Sequence, residues 1–343
     1  MNLIYAGLFL ILAMVLSLPF LVKKIEEELE LFLFIAGCLA LSLTAQWSIR
    51  LVREALVEPI KITAAVLLAG VLFRLFQKSI TGNINKIIRA IGIKCFVFLI
   101  IVALGFLSSA ATAIVTSIIL VEIINSLKLD RKTEIRIVVL TCFSIGLGAA
   151  LTPIGEPLST IVIAKLRGNP YHADFFFLAR QLGWHIAAGI IAFGFIGMIV
   201  TKPNQKNGQS LSEDRQESVK DIFIRTGKVY LFVMALVFLG TGFKPIIDAF
   251  ISKISYRGLY WINMVSAILD NATLAAAEIS PNMHILQIKA ALLGLLIAGG
   301  MLIPGNIPNI ISAGKLKIKS SEWAKFGVPV GLITMLVYFL LLQ

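Results

Sequence analysis

The sequence predicts an all-α polytopic membrane protein made of inverted-topology repeats, each with a re-entrant hairpin and a broken, unwound transmembrane helix. Three observations predict it. Hydrophobic residues form 58% of the 343-residue chain and charged residues only 15%, against roughly 25% charged in soluble globular proteins. Mean hydropathy is +0.91, which leaves too little polar surface to clothe a soluble particle. Finally, apolar runs of membrane-spanning length recur along the chain, and two of them carry proline-rich breaks that echo one another.

Full spans are expected near 1–22, 30–46, 60–76, 135–166, 175–200, 228–246, 287–318 and 323–342. The first has no basic leader and no small-residue cleavage site before Lys23-Lys24. It therefore reads as a retained helix rather than a signal peptide. Residues 47–61, with Arg50, Arg53, Glu54, Glu58 and Lys61, suit an amphipathic interfacial helix. Residues 201–227 are the long hydrophilic stretch, expected as a cytoplasmic linker between halves 1–200 and 228–343.

Two apolar stretches do not fit simple spans. Residues 93–126 are too long for one helix and carry a polar break at Ser108-Ser109-Ala110-Ala111-Thr112. Residues 258–283 break at Asp270-Asn271-Ala272-Thr273. Each is expected to be a hairpin that dips in and returns on one side. Basic loops then fall inside, at Lys23-Lys24, Lys78/Lys86/Arg89, Lys128/Arg131/Lys132, the linker and Lys315/Lys317/Lys319. Both termini fall outside.

The halves repeat in order. A shift of 161 lays Ala111-Thr112 on Ala272-Thr273, and a shift of 151 lays Leu151–Pro157 on Leu302–Pro308 so that both prolines coincide. Three spans separate the hairpins, so the second copy is inverted. Inverted repeats with matching broken helices point to a secondary transporter with a midplane site.

Charge supports the same class. The net formal charge of +12 comes from 31 basic and 19 acidic residues, but the basic ones sit in short loops, as topology requires. No basic patch is interleaved with aromatics, so nucleic acid is not an expected partner. Cys38, Cys95 and Cys142 are dispersed in apolar runs and read as small core residues. No HExxH, Walker A, GxSxG or Rossmann pattern stands in its required context, so neither an enzyme nor an ATP-driven pump is expected.

The chemistry is expected at the breaks. Pro153/Pro157 and Pro304/Pro308 remove backbone donors and clash with the preceding turn. Unpaired backbone at membrane depth persists only inside protein or beside water. Glu156 and Asp270 stand at these breaks. A carboxylate in such a place holds either a proton or a cation, the simplest basis for cation/proton exchange. Ser109, Thr112, Thr152, Ser159, Asn271, Thr273, Asn306 and Asn309 supply oxygens of the kind a hard cation prefers. For any one hydroxyl, a helix back-bond is an equally simple role. Glu122, Glu278 and His185 are candidate proton relays, with anchoring or packing as alternatives, and Arg180 is the one deep cation expected. His172 and His284 read as loop residues.

SSAAT with LDNAT, followed by LTPIGEPLSTI with LIPGNIPNIIS, resembles the ion transporter superfamily. That group includes NhaD-type sodium/proton antiporters, arsenite-efflux permeases and sodium/dicarboxylate carriers. Thr152-Pro153-Ile154-Gly155-Glu156 is similar to the Thr-Pro-Ile-Gly-Asp of NhaD-type antiporters, with Glu for Asp. The chain also resembles a compact prokaryotic family of predicted cation transporters. The likeness is strongest over about 30 residues at the breaks, and here Ser109–Thr112 and Asp270–Thr273 depart from the carriers' Ser-Asn-Thr tips.

The expected function is a sodium (or lithium)/proton antiporter of the inner membrane, with no cofactor beyond the transported ions. The alternatives are a sodium-coupled carrier of a small anion such as a dicarboxylate, and a non-transporting membrane scaffold. The bilayer is the expected partner, and long apolar faces are compatible with a homodimer.

Overall fold

The structure is a computed structural model. It describes residues 3–342 apart from 23, 26, 27, 58, 61, 62, 65, 66, 68–86, 128, 203–218, 251–253 and 270. Among the described residues it is all helical, with no strand. In chain order the helices are α1 (Leu3–Leu21), α2 (Leu29–Thr44), α3 (Ile93–Ala111), α4 (Ala113–Leu127), α5 (Arg131–Ala149), α6 (Pro157–Lys165) and α7 (Phe177–Val200). They continue as α8 (Val219–Phe250), α9 (Tyr256–Ile262), α10 (Asn271–Glu278), α11 (Ile285–Gly299), α12 (Ile307–Leu316) and α13 (Ser320–Leu341).

Among the described residues four helices are long and apolar enough to cross a membrane: Ile93–Ala111, Phe177–Val200, Thr226–Ile246 and Ser320–Leu341. At about 1.5 Å per residue, the 19 residues of α3 reach about 28 Å, close to a bilayer's apolar thickness. Exposed Trp184, Phe195 and Ile199 on α7, with Ile333, Leu336 and Leu340 on α13, form outward apolar faces that lipid would cover. The expected span 60–76 lies largely outside the described residues.

At the centre stand α5 and α11. Every residue from 137 to 150 and from 290 to 301 is buried. A helix that is apolar on all sides can satisfy its surface only inside other helices. Its residues are therefore small where neighbours come close. A side chain on Gly148 would run into the Gly105 carbonyl of α3, so the two backbones touch. Polar links follow the same seam, with Ser144 Oγ donating to Ile101 O (2.9 Å) and Ser108 Oγ to Ile145 O (2.9 Å). Pairing 101 with 144 and 105 with 148 means that α3 and α5 run in the same direction. Glycines of α7 seat it on the other flank of α3, where a Cβ on Gly194 would come within 2.8 Å of Val102.

Both expected breaks meet an interruption of the helix, the first shorter than expected and the second beginning earlier, at Asn263. Ser108 to Ala111 remain helical in α3, and only Thr112 interrupts, at φ 66°. A β-branched residue rarely adopts this left-handed region. At the second, α9 runs into a 3₁₀ turn, Asn263–Ala267, before α10 begins. That turn pairs with α11, since Asn263 Nδ2 donates to Ala291 O (3.0 Å) and Ser266 Oγ to Leu295 O (2.8 Å).

Helix α8 begins at Val219, inside the stretch expected as a linker, of which residues 203–218 lie outside the described residues. Residues 49–57 are helical, with Leu51 and Ala55 buried against Leu41 and Phe238. Arg50 and Glu54 pair on the outer face (2.9 Å), as an amphipathic helix predicts. Cys142 is buried, Cys38 partly so, and Cys95 exposed. The core assignment therefore fails for Cys95, whose side of α3 faces outward.

A short ion-pair network joins distant parts of the chain. The Arg131 guanidinium grips Glu322 with two bonds of 2.8 Å, and also donates to Lys317 O (3.0 Å). Lys cannot reproduce this planar fork. Arg131→Lys is expected to cost about 1 kcal/mol, checked by thermal unfolding of the purified protein. An unchanged melting temperature would remove that role.

Candidate functional site

Two breaks of nearly identical backbone interrupt the central helices. The first follows α5: Ala150 closes the helix at φ −71°, ψ −13°, and Glu156 opens α6 at φ −156°, ψ 160°. The second follows α11: Gly300 sits at φ −77°, ψ −17°, and Asn306 opens α12 at φ −155°, ψ 147°. Each equivalent pair is 150 positions apart, one fewer than the proline alignment gives. The reason is local. Pro157 is the first residue of α6 and Pro308 the second of α12, and either position is tolerated because its amide lacks a helical partner anyway. Helix starts, not prolines, set the equivalence.

The hairpins are corrected in the same way. Ser108 and Ser266, 158 apart, donate to the equivalent carbonyls of Ile145 and Leu295. Likewise α4 starts at Ala113 and α10 at Asn271. Thr112 precedes its helix whereas Thr273 lies within one, so the shift of 161 matched letters rather than positions.

Each tip lies on its break. Ala113 N donates to Gly155 O (2.9 Å), and Thr152 Oγ1 to Ser109 O (2.5 Å). Gly305 lies against the Ser266 and Ala267 carbonyls, where a Cβ would come within 2.8 and 2.9 Å. The second limbs cross over. α4 packs on α12, and α10 packs on α6. Lys315 near the end of α12 meets Glu122 of α4 (3.2 Å), and Lys165 at the end of α6 meets Ile279 O just beyond α10 (3.1 Å). The far ends of these helices therefore meet, and their N-termini turn toward the breaks together.

Around this meeting point the sequence-predicted oxygens divide into two groups. Glu156 is buried at the head of α6 and makes no side-chain cap. Beside it, Ser159 Oγ donates to Ala150 O (3.1 Å), Thr152 Oγ1 also accepts from Ile154 N (3.2 Å), and Thr112 Oγ1 accepts from Val115 N (3.3 Å). Ser109 Oγ spends its proton on Phe106 O (2.7 Å), a helix back-bond. In the second group, fully buried Asn309 donates through Nδ2 to Gly299 O and Leu302 O, both at 2.8 Å. It thereby holds the unwound segment closed. Asn271 is buried beside Gly299, and among the described residues neither of its amide atoms has a hydrogen-bond partner. Asn306 reaches across to α5, where a Cβ on Gly146 would stand 2.6 Å from its Nδ2. Thr273 belongs to α10, and Asp270 lies outside the described residues.

Removing the amide of Asn309 frees two buried carbonyls. Asn309→Ala is expected to lower stability by about 2–4 kcal/mol, measured as a fall in melting temperature. Asn309→Asp, which keeps the volume, separates lost hydrogen bonding from lost packing. A melting temperature unchanged in both variants would dismiss the clasp.

The remaining candidates lie away from the breaks. Glu122 pairs with buried Lys315, and Glu278 accepts from Asn263 Nδ2 (2.9 Å). His185 is in α7, where its carbonyl accepts from Tyr338 Oη (2.5 Å). Arg180 is not deep: it is half exposed at the start of α7 and pairs with Asp174 (2.7 Å). That hydrogen bond to Arg180 holds the Asp174 carboxyl below the usual carboxylate range. His172 lies in a loop, while His284 caps α11 by accepting from Leu286 N (3.3 Å).

The sequence reading missed Asn263, Ser266, Lys165 and Lys315, together with the close-packing role of Gly146, Gly148 and Gly299. The two lysines carried a signal, since they stand 150 positions apart at the ends of matching half-helices.

Lys315 and Glu122 are both nearly inaccessible, with side chains 4% and 10% exposed. Removing one member of such a pair leaves a buried charge, so Lys315→Met is expected to cost about 3–5 kcal/mol. Lys315→Met combined with Glu122→Leu is expected to recover most of that loss. Equal destabilisation of the single and double variants would refute coupling between these two groups.

No curated protein matches this chain. A family model described as "Protein of unknown function (DUF1646)" matches residues 5–343. Because the match covers nearly all of the chain, the protein belongs to the DUF1646 family.

Proposed function

We propose that this protein is a secondary active transporter of the inner membrane, exchanging sodium or lithium ions for protons at the meeting point of the two breaks. The observation that carries this reading is buried Glu156 at the head of a half-helix, where two interrupted helices and two chain reversals converge. The matched backbones at 150/156 and 300/306 support a pair of inverted repeats, with α3–α4 and α9–α10 as re-entrant hairpins. The likeness of Thr152–Glu156 to NhaD-type antiporters supports the cation as substrate.

In this mechanism Glu156 binds a proton or a cation, and not both. Helix N-termini stabilise its ionised form, while carbonyls freed at the breaks and the Asn271 amide complete the oxygen set for a dehydrated cation. Asp270 is the proposed second acid. Alternating access follows from movement of one repeat's hairpin and half-helix against the other's.

Proteoliposomes holding an acid-inside gradient provide the test. External sodium or lithium is expected to collapse the gradient, and choline is not. Absence of collapse across the pH range, in folded protein, rejects the antiporter.

One observation favours a second reading, a sodium-coupled carrier of a small anion. The N-termini of α4, α6, α10 and α12 all turn toward the breaks, and helix N-termini attract anions. Carboxylate-dependent sodium uptake distinguishes this reading from antiport.

A further inference from the structure

Glu278 lies at the end of α10, away from the breaks, and is only 7% exposed. Its Oε2 accepts from Nδ2 of Asn263 (2.9 Å), a residue with no exposed surface. The second Nδ2 hydrogen of Asn263 goes to Ala291 O (3.0 Å). The donor side of the amide is therefore fully used. Among the described residues, two buried atoms then remain without a partner, Glu278 Oε1 and Asn263 Oδ1. Both are acceptors when the carboxyl is ionised, so neither can serve the other.

A cation would resolve this shortage, but among the described residues none is placed to do so. Helix α10 packs against α6, α8 and α11. On α6, Lys165 directs its ammonium to the Ile279 carbonyl. On α8 Lys244 is exposed, and on α11 Lys289 is partly exposed. Among the described residues no basic group forms an ion pair with Glu278. The other ionisable groups near this end also have partners: Arg257 lies over the Tyr256 ring, and His284 caps α11. α10 itself contains no other ionisable side chain.

One proton resolves it fully. Placed on Oε1, it turns an acceptor into a donor, and Asn263 Oδ1 is the acceptor left vacant on the same amide. A carboxylic acid and a primary amide pair in this manner through two complementary bonds, N–H to C=O and O–H to C=O. We propose that Glu278 and Asn263 form a buried acid–amide pair that carries one proton, a proton-binding site separate from Glu156.

This site goes beyond the antiport reading and stands without it. Its consequence is mechanical. Loss of the proton leaves a buried carboxylate whose Oε1 has lost its only bond in the pair and faces Asn263 Oδ1, so the group must draw in water or move. Glu278 closes α10, and α10 rests on α6, the helix that Glu156 opens. The released proton has a short exit, because residues 280–284 beyond Ile279 form a loop whose Asn282 and His284 are exposed.

Infrared titration of the purified full-length protein tests the pair without any transport assay. At neutral pH the wild type is expected to show the carbonyl band of a protonated carboxylic acid. Glu278→Gln, which has the shape of the neutral acid, is expected to fold and lose that band. Glu156→Gln is expected to retain it. Asn263→Ser, which breaks the second bond of the pair, is expected to shift the band even if the Gln variant does not fold. A band that survives Glu278→Gln, or one unmoved in Asn263→Ser, overturns the proposal. So does its absence from the wild type.

Discussion

Glu156→Gln is expected to reduce sodium- or lithium-driven proton movement to the level of protein-free liposomes while leaving the protein folded. The side chain is buried but makes no cap to its own helix. Its exchange for an isosteric amide therefore removes charge and titration, not helix start. An amide keeps one oxygen for a cation, so weak binding can survive where exchange does not. Cation binding measured directly, alongside gradient collapse, separates these two losses. Full exchange by the Gln variant would eliminate Glu156 as carrier. Asn306, with the same backbone at the matching position, provides a control. Asn306→Ala removes an uncharged ligand and is expected to weaken cation affinity without ending proton coupling.

Gly148→Ala is expected to produce the largest loss of stability of any single methyl added to this fold. A Cβ at this position collides with the carbonyl of Gly105 and comes within 2.8 Å of Ser108 Oγ. A flexible side chain could turn aside, but a helix backbone cannot. The two helices must separate, and with them the Ser108–Ile145 and Ser144–Ile101 bonds. Overpacking costs typically about 1–3 kcal/mol, and a collision with backbone belongs at the upper end. An apparent melting temperature lower by about 4 °C is expected for a chain of this length. Gly168→Ala, with open space around it, is the matched control and is expected to melt as the wild type does. Equal melting of the two variants would dismiss the close approach of α3 and α5.

The two predictions depend on different kinds of information. Glu156 was visible in the sequence because an acid inside an apolar run must be explained, and two prolines flank it. Its position at a break followed from the same prolines. The interior of the cluster was less legible. Asn309 was expected to offer oxygen to a cation, and the structure adds a second role that the sequence did not show, its amide nitrogen clasping Gly299 and Leu302. Arg180 was expected deep in its span and stands at the helix start with Asp174. A run of apolar residues fixes where a helix lies, but not which turn of it faces water.

Aligning the two halves shows where letters mislead. Prolines aligned at a shift of 151 and Ala-Thr pairs at 161, whereas the caps match at 150 and the hairpin helices at 158. A helix begins where the chain leaves the extended region, and a proline or threonine one residue away satisfies the same need.

What the sequence determined by itself was the class of the molecule, its apolar helices and the position of the interruptions. These follow from composition, hydropathic period and proline, all local along the chain. Only tertiary structure decided that α4 pairs with α12 and α10 with α6, that Glu122 meets Lys315, and that Glu278 shares its hydrogen bond with Asn263. Those partners stand up to 193 residues apart. Desolvation inside the packed bundle selects them, because a buried polar group must find its complement wherever the fold brings one.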